Sequence, residues 1–138
     1  MIFLDTNLLA RLVLRDDPVQ HETVKQLLLQ PRHFGVSSTV ILELVWVLKS
    51  KRIPNEEIVK SLTWLLKLPN LSCRNLDAVL AALSGFTQGM DFPDALHLAI
   101  SRDAKADAFA TADRDLARYA QKLDLQPPVE LIRFATHD

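Results

Sequence analysis

Phe34-Gly35-Val36-Ser37-Ser38-Thr39-Val40-Ile41-Leu42-Glu43-Leu44-Val45-Trp46-Val47-Leu48 runs from a short apolar segment, through three hydroxyl residues, into a longer apolar run that holds one acid. Phe34 to Ser37 reads as a buried strand. Ser38 or Thr39 can cap the helix that follows, which runs to about Lys51. Glu43 has apolar neighbours on both sides, and a charged carboxylate in such a place needs a cation to meet it. Other carboxylates are set in similar places, at the ends of apolar segments. Asp5 ends Met1-Ile2-Phe3-Leu4, Asp94 opens the helix Ala95 to Ile100, and Asp113 follows Ala108 to Ala112. Four acids at the ends of apolar segments predict one acidic pocket built from distant parts of the chain.

The rest of the chain alternates in the same way. Strands are predicted at Ile2 to Leu4, Leu71 to Cys73, Ala108 to Ala110 and Val129 to Ile132. Helices are predicted at Asn7 to Leu14, Val19 to Leu29, from Asn55 to the Leu68-Pro69 break, Asp77 to Gln88, Pro93 to Ala104 and Arg114 to Leu123. Asn55 can cap its helix, and Gly89 suits the C′ position after Gln88. Strands alternating with helices predict an α/β fold with a short-stranded, mostly parallel central sheet between helical layers. One domain is expected over 1–133, with 134–138 as a C-terminal tail.

Composition narrows the chemistry. The 138 residues are 49% hydrophobic and 24% charged, which suits one globular domain with a real core. The formal net charge is −1, so any nucleic-acid contact must come from local basic patches. The single cysteine, Cys73, leaves no internal disulfide and no cysteine-based zinc site, and it is expected to fill core space in a strand. No glycine-rich phosphate loop is present, which makes nucleotide-cofactor chemistry a poor fit. No secretory signal or membrane span is visible, and a soluble cytoplasmic protein is expected.

Ligands of open parallel sheets bind beyond the carboxyl ends of the strands, where these acids fall. Clustered carboxylates raise each other's pKa unless a cation intervenes. An all-oxygen site without cysteine or paired histidines favours Mg²⁺ or Mn²⁺, and phosphoryl transfer is the chemistry that most often uses one. Each acid has a plainer reading: Asp5 and Asp113 as helix N-caps, Asp94 as a first-turn acid, Glu43 as half of a buried ion pair. Arg114, Arg118 and Lys122 recur at four-residue spacing on the last helix, either as a solvated face or as a contact for a nucleic-acid phosphate backbone. Trp46 and Trp64 are read as core or interface residues.

Four segments, in order, resemble the motifs of PIN-domain nucleases: Met1-Ile2-Phe3-Leu4-Asp5-Thr6-Asn7, Ser37 to Leu44, Asp91-Phe92-Pro93-Asp94-Ala95-Leu96-His97, and Thr111-Ala112-Asp113-Arg114-Asp115-Leu116. At this length the chain is most similar to the VapC-type toxins of toxin–antitoxin pairs. The resemblance implies a PIN-like three-layer α/β/α sandwich and a metal-dependent endoribonuclease. It implies Asp5, Glu43 and Asp94 as metal ligands, with Asp113 at the fourth, more variable position. Thr6 would orient Asp5 or a water, Thr111 would act similarly beside Asp113, and Asn7 would serve the site or only its turn. Asp91 and Asp115 could exchange roles with Asp94 and Asp113.

The implied partners are structured RNA such as tRNA or rRNA, a VapB-like antitoxin, and a second copy in a homodimer. The leucine-rich helices Val19 to Leu29 and Asn55 to Leu68 would form the dimer and antitoxin surfaces, or would simply complete the monomer core. The alternative function is a non-catalytic PIN-like RNA- or protein-binding module. A haloacid-type phosphatase would need an acid at Asn7, and a receiver domain would need one after Leu71-Ser72-Cys73; neither is present.

Overall fold

The structure is a computed structural model that describes residues 1–135. The chain folds as two compact units, Met1 to Leu76 and a second that begins at Asp77.

In the first unit, β1 (Ile2–Phe3), β2 (Phe34–Val36) and β3 (Leu71–Cys73) form a parallel sheet in the order β1-β2-β3. Ile2 pairs with Phe34, and Gly35 is matched to Phe3 on one side and Ser72 on the other. The central strand β2 is buried along its length. Gly35 is required there, because a Cβ would stand 2.8 Å from Met1 Sδ and 3.0 Å from the Phe3 ring. Parallel neighbours need crossovers, and helices supply them. α1 (Thr6–Leu14) and α2 (Pro18–Leu28) link β1 to β2; α3 (Ser38–Ser50) and α4 (Asn55–Leu66) link β2 to β3.

Helical phase decides what α3 buries. Ile41, Leu44, Val45 and Leu48 recur at three- and four-residue spacing and form its core face. They join Leu9, Phe34, Val36, Ile58, Leu62 and Leu65, all essentially inaccessible. Each such side chain contributes about 2 kcal/mol relative to exposure. The opposite side of α3 carries Trp46, which is 72% exposed, so the core reading of this residue does not hold. Trp64 is also exposed. The apolar face of α4 does complete the core, through Ile58, Leu62 and Leu65. α2 buries only Val24 and leaves Val19 and Leu29 outside.

The second unit contains α5 (Leu76–Thr87), α6 (Phe92–Asp103), β4 (Phe109–Thr111), α7 (Arg114–Lys122) and β5 (Val129–Leu131). β4 and β5 pair in parallel, Phe109 with Val129 and Thr111 with Leu131. These two strands are only half-buried, unlike the fully buried strands the sequence suggests. Phe86 and Phe92 meet edge-to-face at 5.9 Å and join α5 to α6. The expected α/β class with short parallel strands is the one observed.

Two caps differ from expectation. Ser37, not Ser38 or Thr39, caps α3 by accepting from Val40 N at 3.2 Å, and Ser38 is buried. Pro54 occupies the N-cap position of α4 and Asn55 begins the helix, with no side-chain cap bond. Cys73 is half-buried in β3, and burial pushes its thiol up to about 11. Of the tail 134–138, residues 136–138 lie outside the described residues. Among the described residues no helix is long and apolar enough to cross a membrane.

Gly89 turns the chain from α5 into α6 at φ +104, a conformation that L side chains rarely adopt. A Cβ there would also stand 2.9 Å from the Tyr119 hydroxyl. Gly89→Ala is therefore expected to lower unfolding stability by about 1–3 kcal/mol. Urea denaturation followed by circular dichroism measures this, and an unchanged midpoint would contradict it.

Candidate active site

Asp5, Asp94 and Asp113 are placed by the end of a strand or the start of a helix, and Glu43 by the second turn of α3. In the first unit, Leu4 N donates the last ladder bond of β1 to Gly35 O at 2.9 Å, and Asp5 comes next. Its Oδ1 accepts from Thr6 N at 2.7 Å and caps α1. This leaves Oδ2 for another partner, so capping and cation binding are compatible in one carboxylate. The Thr6 hydroxyl is buried and donates to Glu43 Oε2 at 3.3 Å, reaching Glu43 rather than Asp5. Asp5 and Glu43 are thus connected through the two polar groups of one threonine.

Glu43 itself is exposed. The expectation of a carboxylate submerged in an apolar run is not met, because the helical period turns Glu43 away from the face made by Ile41, Leu44 and Leu48. A buried ion pair is correspondingly not its role. Asn7 is exposed and borders a groove between α1 and α2.

In the second unit, a cavity of about 340 Å³ is lined by Asp91, Asp94, Asp113, Asp115, Arg118 and Tyr119, with Gly89 and Met90 at its edge. Asp91 holds the N-cap position of α6 but makes no side-chain cap bond. Asp94 lies in the first turn of α6 and is half-buried. Asp113 follows β4 and caps α7, its Oδ1 accepting from Asp115 N at 2.9 Å and Leu116 N at 3.1 Å. Thr111 Oγ1 accepts from Asp113 N at 3.1 Å, which fixes the turn that aims this acid. Asp115 pairs with Arg118 at 3.0 Å on the exposed side of α7.

Asp94 feels this crowding. Burial raises its pKa first, then the charges of Asp91 and Asp113, with a hydrogen bond to Asp113 adding to the rise and His97 opposing it. The cavity therefore carries surplus negative potential that a cation would relieve. Carboxylate oxygens are hard donors, which suits Mg²⁺ or Mn²⁺ over softer ions. Among the described residues, no group of three or more His, Cys, Asp or Glu side chains is arranged to hold a metal ion. What the structure does bring together is Glu43 with Thr6 and Asp5 in one unit, and Asp94 with Asp91 and Asp113 in the other.

Arg114 and Lys122 are exposed on α7, and Arg118 is exposed but engaged with Asp115. The sequence did not single out Tyr119, although it falls one turn after Leu116, which faces the same cavity.

The model of the PIN domain family matches residues 2–122, and the chain belongs to that family. No curated protein matches the chain significantly. Among solved structures it is similar to VapC20 of Mycobacterium tuberculosis, described as a sarcin-ricin loop cleaving toxin. The two are 23% identical, the match covers 86% of this chain and 94% of that one, and the TM-score is 0.41.

The raised pKa of Asp94 has a consequence for stability. The folded state holds the Asp94 proton more tightly than the unfolded chain does. Its contribution is therefore complete below the ordinary carboxylate pKa and is lost as pH rises through the folded value. At neutral pH the ionised group opposes folding. Asp94→Asn is expected to melt above the wild type at pH 7 without added metal, with the gap closing as pH falls below the usual carboxylate range. Melting curves across that window check this; a variant that melts lower at pH 7 would contradict it.

Proposed function

We propose that this chain is a metal-dependent endoribonuclease of the VapC type, the toxin of a toxin–antitoxin pair. The observation that carries the reading is Asp94, half-buried and crowded by Asp91 and Asp113 in a cavity within a PIN-family chain. Such repulsion costs stability and is maintained where a cation is to be held. Asp5, Glu43, Asp94 and Asp113 would hold Mg²⁺ or Mn²⁺. When bound, the ion offsets the charge of a phosphodiester and makes water a competent nucleophile.

The chain's own groups prepare this. Asp5 is held by Thr6 N, Glu43 by the Thr6 hydroxyl, and Asp113 by the first amides of α7, so each carboxylate is oriented in advance. Preorganised acids would need little rearrangement to hold the ion. Arg114 and Lys122, exposed on α7, would meet the RNA backbone. Arg118 can exchange Asp115 for a phosphate at small cost, since an exposed pair is worth under about 1 kcal/mol. Attack by water needs no covalent protein nucleophile and leaves a 5′-phosphate and a 3′-hydroxyl.

The proposed substrates are structured RNAs such as tRNA or rRNA, and the proposed setting is the cytoplasm. The proposal treats 1–133 as one PIN-like domain. It includes a VapB-like antitoxin and a homodimer, for which exposed Val19, Leu29, Trp46 and Trp64 offer apolar surface to cover.

Purified protein should cut total tRNA or rRNA in Mg²⁺ or Mn²⁺ and stop in EDTA. Asp5→Asn and Glu43→Gln should each lower kcat by about 100-fold or more, with little change in melting temperature. Gel analysis of the products and their ends reads the outcome. Undiminished cleavage by Asp5→Asn would remove the metal site from the mechanism. RNA binding by the wild type without cleavage would favour a non-catalytic module.

A further inference from the structure

In the acidic cavity of the second unit the Tyr119 phenol is the one lining side chain that donates a hydrogen bond and is neither an acid nor a cation. The cavity's polar side chains are four carboxylates, the Arg118 guanidinium and the Tyr119 phenol. Ionised carboxylates only accept hydrogen bonds, and Arg118 already donates to Asp115 at 3.0 Å. Among the described residues the Tyr119 hydroxyl has no hydrogen-bond partner, and no fully buried polar side-chain atom is left unpaired, so this hydroxyl is accessible.

Its placement is specific. Leu116 and Ala120 anchor α7 in the core, and Tyr119 lies between them, half-buried. The hydroxyl reaches the turn at Gly89, 2.9 Å from where a Cβ would stand, so only glycine lets the phenol occupy this position. The cavity, at about 340 Å³, lies at the small end of the range of ligand sites.

Resting on the nuclease reading, we infer that Tyr119 is a substrate-binding residue whose hydroxyl donates to an oxygen of the RNA sugar–phosphate backbone beside the acids. The donor is neutral, so it adds no competing positive charge among the carboxylates. It recognises a backbone oxygen, so it favours no particular base.

Tyr119→Phe removes the hydroxyl and keeps the ring, and the chain has one tyrosine, so isotope labelling of the phenol carbon Cζ gives one NMR signal. The signal is expected to move when a stem-loop RNA oligonucleotide is added in Mg²⁺, and to move far less in Mg²⁺ alone. Tyr119→Phe is expected to weaken binding of that oligonucleotide, and to raise KM for its cleavage, by about tenfold, the equivalent of one hydrogen bond. Its Mn²⁺ affinity and melting temperature should match the wild type. A signal unmoved by RNA, or an unchanged RNA affinity, would overturn the inference. So would a loss of RNA affinity matched by a loss of Mn²⁺ affinity or of stability, which would make the role structural. If the wild type does not cleave RNA, the nuclease reading fails separately, while the NMR and RNA-binding results still decide whether Tyr119 meets a backbone oxygen.

Discussion

The repulsion among Asp91, Asp94 and Asp113 is the interaction on which the functional reading depends. Two helix starts bring these acids together, and burial makes the charge on Asp94 costlier still. A carboxylate group that served only to cap helices would be spared this: Asp113 caps α7 with Oδ1 alone, while Asp91 sits at the head of α6 and caps nothing. A divalent cation would turn the same crowding from a cost into binding energy. The backbone amides that hold Asp5 and Asp113 then serve two ends, satisfying the helix termini and fixing the direction of the acids.

The parallel strands make this arrangement available. Each is only two or three residues long, and β1 to β4 each lead through a short turn into a helix. β1 ends at Phe3 and Leu4 N makes its last ladder bond, so Asp5 is both the residue after the ladder and the N-cap of α1. β4 ends at Thr111, whose hydroxyl holds the amide of Asp113. Short strands, hydroxyl-bearing turns and acidic caps are one solution to one problem: to leave the sheet, start a helix and present an oxygen at the same point.

Much of this was legible in the sequence. Strands and helices fall within a residue or two of their predicted limits, because Asp17-Pro18, Pro54, Gly89 and Pro93 punctuate the chain in ways that the backbone obeys. Capping was less exact around Ser37, where three consecutive hydroxyl residues offer equivalent chemistry and only the backbone path chooses among them. Glu43 was misread as submerged because the surrounding run is apolar as a string, although Ile41, Leu44, Val45 and Leu48 already mark the inward face and leave Glu43 and Trp46 outside it. Tyr119 was invisible as a site residue. Its relevance comes from the approach of the Gly89 turn, a long-range relation that helical spacing does not encode.

The central claim is that the acids of this chain hold a divalent cation, and direct Mn²⁺ binding tests it apart from any RNA. Titration of the metal-free protein followed by electron paramagnetic resonance of free Mn²⁺ should show saturable binding. Asp94→Asn, which alters the most crowded acid, should weaken that binding. Absence of saturable binding, or binding indifferent to this substitution, would contradict the claim.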